Sequence, residues 1–363
     1  MQTATYGAWK SPITAALIAE STVRLGEVHI DGDATYVVET RPREEGRSVL
    51  VRVDGGKAVD VVPEGVSVRT RAHEYGGGAA LVVDGVVYFV NDDDQRVYRL
   101  APGETPVAIT PAIPERGLRY ADFALDRARR RLYAVREDHT TGGHEPENTL
   151  VAIDLTGGRV TPLVRGADFY SSPRLSPDGR QLAWLSWRHP NMPWDGTELW
   201  VAELDAQGGL AQPERVAGGE EESIFQPAWS PAGELHFASD RTGWWNLYRR
   251  AGDGGSAALC PRAAEFGAPQ WGFGMATYGF AADGRIICAF TEKGQWHIAG
   301  LDPRTGHLEP YGLPYTTLSM AAGVRVGGER CVFVAGSPVA AEAVVELDLR
   351  NGALRVLHHS TTT

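Results

Sequence analysis

Serine, histidine and aspartate recur throughout this 363-residue chain, and these residue types could supply the nucleophile, base and orienting acid of acyl-transfer chemistry. A serine nucleophile of that kind commonly lies in the pattern Gly-x-Ser-x-Gly, on a sharp turn between a strand and a helix. Two near matches occur, GGSAA at 254–258 and GRSVL at 46–50, and both lack the closing glycine. The first lies in a turn and the second begins a strand pattern, so the sequence predicts no catalytic residue.

Recognition of a peptide is a second kind of chemistry, and it is indicated by the sequence HEYGGG at 73–78. The carboxylate of Glu74 could accept hydrogen bonds from a peptide ammonium, and the three glycines let the backbone approach another surface closely. The alternative is that the glycines are needed for packing where an innermost strand begins. We predict substrate contacts for Glu74 and for the neighbouring Tyr75.

Two further segments place aromatic side chains beside rigid or charged residues. The sequence WRHPNMPW at 187–194 contains two prolines, so Trp194 would lie on a rigid projection, lining a peptide-binding mouth or packing over the edge of its sheet. In SDRTGWWNLY at 239–248, the planar fork of Arg241 suits a substrate carbonyl or carboxylate. The alternative pairs Arg241 with Asp240 or a neighbouring strand and buries both tryptophans. We predict substrate contacts for Trp194, Arg241 and Trp244.

Metal sites are only weakly indicated. The acidic run Asp92, Asp93 and Asp94 offers the oxygen ligands that Ca²⁺ prefers, but its spacing differs from the EF-hand loop, and Asn-Asp-Asp-Asp between apolar segments is typical of a hairpin turn. The loop 137–148 carries His139 and His144 without a helical pattern, which is a weak metal signal. The three cysteines are dispersed and lack metal-binding spacing. The sequence therefore predicts no metal and no cofactor.

Charge and the N-terminus bear on partners and location. The formal net charge is -11, and nucleic-acid binding depends on clustered Lys and Arg, so that class of partner is disfavoured. The N-terminus has no basic region followed by a long apolar run, so the sequence predicts neither secretion nor a membrane partner, and a cytoplasmic location is expected. It makes no prediction of oligomeric state.

These residues must be positioned by a fold that repeats along the chain. Seven segments, from VLVRVDGG to VVELDLRNG, alternate apolar residues and run into a turn, and hairpin patterns such as ALVVDGVVYFV precede them. One equivalent position, recurring every 47 to 53 residues or so, is occupied by Val51, Tyr98, Val151, Trp200, Tyr248, Ile298 and Val345. A β-sandwich would fit the alternation but not the fixed period. We predict an all-β fold, a β-propeller of seven four-stranded blades that bury their faces against one another.

The repeat also gives expected domain boundaries. We predict an N-terminal segment at 1–24 with a short helix beginning after Pro12, the propeller at 25–358, and a tail at 359–363. The last repeat is complete in the sequence, so the propeller is expected to close and fold alone.

Several segments carry a family resemblance beyond the repeat: RTRAHEYGGGA, RHPNMPWDGTELWVAEL, SDRTGWWNLYR and APQWGFGMATYGF. Nearly all of the chain, in order, resembles the propeller domain of the prolyl oligopeptidase (S9) serine peptidases, and most of all their acylaminoacyl-peptidase and dipeptidyl-aminopeptidase branch. In that family the propeller is followed by an α/β-hydrolase domain with the catalytic serine, aspartate and histidine. The resemblance implies that this chain is a non-catalytic propeller domain, inactive alone, whose hydrolase partner domain is missing after residue 363.

The resemblance also implies what the propeller does. Its inner loops would face the active site of the hydrolase domain, limit substrates to short peptides, and contact the N-terminal end of the peptide or acyl-peptide that is hydrolysed. Two alternatives stay open. The chain could be a free-standing propeller that binds a peptide or protein partner, or a metal-dependent propeller hydrolase or lyase, which requires carboxylates and histidines converging on the axis.

Overall fold

The computed structural model describes residues 3–12, 14–15, 22–252 and 254–361. Apart from residues 14–15, the short helix predicted after Pro12 lies outside the described residues. Within these ranges the chain forms 29 strands and two short 3-10 turns, Pro42–Glu44 and Pro114–Arg116. In the same ranges, no helix has the length and apolar character needed to cross a lipid bilayer.

Consecutive antiparallel strands form seven sheets, the blades of a propeller. Blade 1 contains β1 (Arg24–Asp31), β2 (Ala34–Arg41), β3 (Arg47–Asp54) and β4 (Lys57–Asp60). Blade 2 contains β5 (Ala80–Val83), β6 (Val86–Val90), β7 (Val97–Leu100) and β8 (Val107–Ala108). Blade 3 contains β9 (Leu118–Asp126), β10 (Arg131–Asp138), β11 (Glu147–Asp154) and β12 (Val160–Val164). Blade 4 contains β13 (Phe169–Leu175), β14 (Gln181–Trp187), β15 (Glu198–Leu204) and β16 (Leu210–Gly218).

The remaining three blades follow the same order. Blade 5 contains β17 (Ile224–Trp229), β18 (Leu235–Ser239), β19 (Asn246–Arg250) and β20 (Ser256–Ala258). Blade 6 contains β21 (Tyr278–Phe280), β22 (Ile286–Glu292), β23 (Gln295–Leu301) and β24 (Leu308–Pro310). Blade 7 contains β25 (Thr317–Leu318), β26 (Arg325–Gly327), β27 (Arg330–Ser337), β28 (Ala340–Asp348) and β29 (Leu354–His359). Its innermost strand is interrupted, because β25 and β26 both pair with β27.

The predicted all-β propeller of seven four-stranded blades is confirmed. The seven residues aligned from the sequence all lie in the third strand of their blades, namely β3, β7, β11, β15, β19, β23 and β28. The hairpin turn between β5 and β6 also has the expected backbone, with φ of 52° at Asp84 and 73° at Gly85. The repeat therefore reflects one strand arrangement used seven times.

The hydrophobic core lies between the blades. One buried cluster, for example, joins Ala183 and Leu185 of blade 4 to Phe237 and Tyr248 of blade 5. Corresponding clusters join the other neighbouring blades. Each blade therefore buries its two faces against its neighbours, as a stacked repeat requires.

The first strand of each blade lies nearest the propeller axis. Strand β1 contacts β5 and β26, β5 contacts β9, and β9 contacts β13. Side chains on these strands therefore come together from different blades. The strand order places Glu27, Asp122, Arg174 and Arg325 near one another at the axis.

Blades 7 and 1 close the ring without sharing a strand. Thr22, which precedes β1, and Thr361, which follows β29, form an antiparallel bridge. Across the same interface, the guanidinium of Arg330 donates to the carbonyl oxygens of Gly32 at 2.7 Å and Ala34 at 3.1 Å. Backbone and charge contacts together hold the first blade against the last.

Candidate functional site

A cavity of about 390 Å³ opens at one end of the propeller. Because neighbouring strands run in opposite directions, the loops that follow the second and fourth strands of every blade emerge at this end. The loops β4–β5, β10–β11, β14–β15 and β20–β21 supply most of its wall. The lining residues are 73–75, 137, 139, 144–146, 169, 187, 192–194 and 270–273.

Aromatic side chains form two sides of this cavity. Phe169 and Trp187 stack with ring centroids 5.4 Å apart. At the mouth, Trp271 lies 4.5 Å from Trp194 and meets the ring of Tyr75 edge-on at 5.3 Å. Tyr75 and Trp271 are 69% and 53% exposed. Such surfaces suit an apolar group or the face-on approach of a cation.

His73 forms the inner side of the cavity. Its ring lies 5.3 Å from Phe169 and 4.7 Å from Phe273. The side-chain amide of Asn148 donates to the carbonyl of Asp168 at 2.9 Å, so its oxygen is left to accept from His73 Nε2 at 3.1 Å. Burial lowers the pKa of His73 below its ordinary value. Burial thus favours the neutral ring, and the Asn148 oxygen favours the tautomer with the proton on Nε2.

Two carboxylates share the guanidinium of Arg119. It donates to Glu74 at 2.8 Å and to Glu137 at 3.0 Å. Glu137 is 4% exposed at its side chain; it also accepts from the backbone N–H of His73 at 2.7 Å and lies 2.5 Å from His139 Nε2. Glu74 is 79% exposed, and its hydrogen bond with Arg119 holds its pKa below the usual range. Glu137 therefore supports the local structure, while Glu74 offers an ionised carboxylate at the mouth.

The three glycines after Tyr75 are required by close packing. All have positive φ, between 58° and 88°. A Cβ atom on Gly77 would lie 2.8 Å from the backbone nitrogen of Phe273, and one on Gly78 would lie 2.9 Å from that of Asp122. The packing alternative raised from the sequence is therefore correct for the glycines. It does not account for Glu74, whose carboxylate is exposed and pairs with Arg119.

Three of the five predicted substrate contacts, Glu74, Tyr75 and Trp194, lie together at the cavity. Sequence reasoning did not select Trp271 or Phe273, which complete the wall beside them. The signal that could have identified them is QWGFGM at 270–275, where aromatic residues and glycines alternate between two blade repeats. Whether these side chains bind substrate stays a prediction.

Arg241 and Trp244 do not line this cavity; they lie in the β18–β19 loop of blade 5. The guanidinium of Arg241 lies 2.7 Å from the carboxylate of Glu222 and 4.7 Å from the ring centroid of Tyr248. Trp244 is 42% exposed. The structure therefore gives Arg241 a partner within the chain, and a substrate contact for either residue stays a prediction.

The acidic run 92–94 and the serines of the two near matches, Ser48 and Ser256, lie in ordinary turns and strands. Asp92 pairs with Arg71 at 2.8 Å, and the acidic run forms the predicted turn between β6 and β7. Ser48 and Ser256 lie within strands β3 and β20, so neither lies on an elbow between a strand and a helix. Among the described residues, no group of three His, Cys, Asp or Glu side chains is arranged to hold a metal ion.

Solved structures similar to this chain include two puromycin-hydrolysing enzymes. A puromycin-hydrolyzing peptidase of Mycobacterium tuberculosis is 36% identical with a TM-score of 0.93, and the match covers 100% of this chain and 57% of that one. A puromycin hydrolase is 39% identical, with the same TM-score and the same coverage of both chains. This chain thus spans 57% of the length of either relative.

A more distant match shows the fold alone. One of two prolyl endopeptidases analysed for inter-domain dynamics is 12% identical with a TM-score of 0.70, over 94% of this chain and 51% of that one. No protein-family model matches the chain, and no curated protein matches it at a significant level.

Proposed function

Since this chain is homologous to the propeller domain of the prolyl oligopeptidase (S9) serine peptidases, we propose that it binds peptides and gates their access to an α/β-hydrolase domain. The parent activity in this proposal is hydrolysis of peptides or acyl-peptides, in the acylaminoacyl-peptidase and dipeptidyl-aminopeptidase branch. A cytoplasmic location belongs to the same proposal.

The observation that carries the proposal is the exposed, ionised carboxylate of Glu74 beside an aromatic-walled cavity. A peptide N-terminus combines an ammonium with a side chain that is often apolar. Glu74 can accept a charge-assisted hydrogen bond from the ammonium, while Tyr75, Trp194 and Trp271 contact the adjoining side chain. The cavity volume of about 390 Å³ lies in the range of small-ligand sites.

Bond cleavage is assigned to the hydrolase domain in this proposal. None of the cavity's lining residues, all within the described part of the chain, is a serine, threonine or cysteine. The cavity lining therefore lacks a serine, threonine or cysteine nucleophile, which supports assigning bond cleavage to the hydrolase domain. Arg241 and Trp244 are proposed as additional contacts, because the β18–β19 loop follows the second strand of its blade and emerges at the same end as the cavity.

We expect the chain to bind the tripeptide Phe-Gly-Gly about tenfold more tightly than its N-acetylated form, since one charge-assisted hydrogen bond contributes about 1.5 kcal/mol. Glu74→Gln should remove this preference, because the neutral amide cannot pair with the ammonium charge. Isothermal titration calorimetry at pH 7 measures both affinities.

The matched control is Glu104→Gln. Glu104 is also an exposed carboxylate paired with an arginine, at 3.2 Å from Arg99, but it lies in the β7–β8 loop at the opposite end of the propeller. This variant should keep the full preference for the free amine. Equal binding of both peptides by the unsubstituted chain would show that the cavity does not recognise an N-terminus.

The chain alone should not hydrolyse chromogenic aminoacyl, acyl-aminoacyl or dipeptidyl substrates, because the proposal assigns the nucleophile to another domain. The assay is run with and without a covalent serine-hydrolase inhibitor and a chelator. Turnover that the inhibitor abolishes would contradict the proposal and indicate a nucleophile within the blades. Turnover that the chelator abolishes would instead favour a metal-dependent propeller enzyme.

A further inference from the structure

The segment 270–275, which we call the strap, crosses the propeller axis before blade 6 begins. The backbone N–H of Phe273 donates to the carbonyl of Gly76 at 2.9 Å, and Phe273 forms a parallel bridge with Gly77. The Phe273 side chain is 3% exposed and belongs to the hydrophobic cluster of blades 3 and 4. The strap therefore reaches from the end of blade 5 to side chains of blades 3 and 4, and it also contacts the segment between blades 1 and 2.

Charged side chains from four blades meet beneath the strap. They are Glu27 of β1, Asp122 of β9, Arg174 of β13 and Arg325 of β26. Asp122 and Arg174 form a direct ion pair at 2.8 Å. Glu27 and Arg325 lie on neighbouring strands of blades 1 and 7 and attract each other, and both also bind backbone groups of the segments above them.

Those backbone contacts involve both segments that carry the cavity wall. Glu27 accepts a hydrogen bond from the N–H of Gly78, which ends the segment 73–78. Arg325 donates to the carbonyl of Gly274 in the strap at 2.6 Å, and through Nε to the carbonyl of Val28 at 3.0 Å. The carboxylate of Glu27 therefore binds the segment 73–78, which carries Glu74 and Tyr75, and the guanidinium of Arg325 binds the strap.

We infer that Glu27 and Arg325 are positioning residues of the cavity, which fix the segment 73–78 and the strap relative to each other from below. Neither side chain lines the cavity, so each acts through the backbone that it binds. The inference rests on the proposed peptide-binding function, because it concerns the shape of that same site.

A contribution to stability does not by itself explain why charged residues, Glu27 and Arg325, occupy these buried positions at the axis. Apolar replacements of buried ionic groups are often neutral or stabilising. A guanidinium adds direction, because its fixed planar fork can bind two carbonyl groups at once. In this protein the two carbonyls belong to β1 and to the strap, so Arg325 links the innermost strand of blade 1 to the part of the cavity wall that the strap forms.

The test compares Arg325→Met and Arg325→Lys with the unsubstituted chain. Hydrogen exchange, read by mass spectrometry on peptides covering 270–275, should be about tenfold faster in Arg325→Met, because the strap loses its hydrogen bond to the axis. Arg325→Lys should show partial recovery, since one ammonium can replace one of the two bonds. Affinity for Phe-Gly-Gly should be highest in the unsubstituted chain, lower in Arg325→Lys and lowest in Arg325→Met.

The matched control is Arg174→Met, which removes the other axial arginine; its guanidinium pairs with Asp122 and donates to the carbonyl of Pro173, and neither residue belongs to the segment 73–78 or to the strap. It should lower thermal stability and leave both strap exchange and peptide affinity unchanged. Equal strap exchange in all variants, or the same increase in Arg174→Met, would overturn the inference. If Arg325→Met fails to fold, the Arg325→Lys comparison decides.

A pH profile gives an independent readout. Burial raises the pKa of Glu27 to about 7, and burial lowers that of His29, beside it on β1, to about 3. The charged groups facing Glu27 from other blades are Arg325 and Asp122. As the pH falls from 8 to 6, Glu27 gains a proton and loses its attraction for Arg325, so protection of the strap should fall. Glu27→Gln should flatten this change; an unaltered profile would contradict the inference.

Different results would contradict the proposed peptide-binding function and the positioning role of Glu27 and Arg325. If the unsubstituted chain binds neither tripeptide, the proposed function is wrong. The exchange of residues 270–275 would still show whether Arg325 and Glu27 position the strap.

Discussion

Replacing Gly77 with alanine should lower the free energy of unfolding by about 3 kcal/mol, because a left-handed backbone costs a non-glycine residue about 1–2 kcal/mol and overpacking adds a similar amount. Gly77 has a φ of 88°, and a Cβ atom there would lie 2.8 Å from the backbone nitrogen of Phe273. The strap cannot retreat without losing its bridge to Gly77. Urea denaturation followed by fluorescence measures the loss.

Gly284→Ala is the control for this substitution. Gly284 has nearly the same φ, 87°, but nothing lies within 4 Å of its added Cβ. The control should lose only about 1 kcal/mol, the backbone part of the effect. Equal losses in the two variants would mean that the strap yields to the methyl group at little cost.

Arg119→Met should lower the free energy of unfolding by an amount similar to that for Gly77→Ala. Removing one partner of a buried ion pair costs about 3–5 kcal/mol. The guanidinium is the cation that contacts Glu137, whose side chain is 4% exposed. Without it, a buried carboxylate keeps only its contacts with the His73 backbone and His139. The exposed partner, Glu74, should contribute little to the loss. Thermal and urea unfolding both report the change.

A second substitution tests the cause. Adding Glu137→Gln to Arg119→Met removes the unpaired charge and should restore about half of the lost stability, a coupling that a double-mutant cycle isolates. The exposed pair of Arg99 and Glu104 provides the control, since Arg99→Met should change stability by less than about 0.5 kcal/mol. No recovery in the double variant would place the loss in packing of the Arg119 stem instead.

The blades could be predicted from the sequence because each repeats one local pattern. Alternation of apolar residues, followed by a turn with positive φ, requires only neighbouring residues, as at Asp84 and Gly85. Seven copies at a nearly constant spacing then fix the number of blades. The equivalence of Val51 and its six counterparts followed from the same regularity, while their place in the third strand came from the structure.

The site was predictable only in part, because it lies where the repeat is broken. Glu74 and Trp194 were found from local composition, and they belong to loops of different blades. Their meeting point depends on Trp271 and Phe273, which the strap carries across the axis. The contact between Gly77 and Phe273 joins residues nearly 200 positions apart, and no periodic pattern signals it. The ion pair of Arg241 with Glu222 could not be predicted from the sequence for the same reason, since the two residues lie in different loops, and a substrate contact for Arg241 stays a prediction.

The bridge between Thr22 and Thr361 makes covalent order and spatial order differ. Blades 1 and 7 are farthest apart along the polypeptide, yet they are neighbours in the ring and have their own hydrogen bonds, such as that from Arg330 to Gly32. A circularly permuted chain, with residues 22 and 361 joined by a short linker and new termini in a loop between two other blades, would retain all seven interfaces. Blades 7 and 1 are held together by non-covalent contacts, and we expect the same contacts to form in the permuted chain.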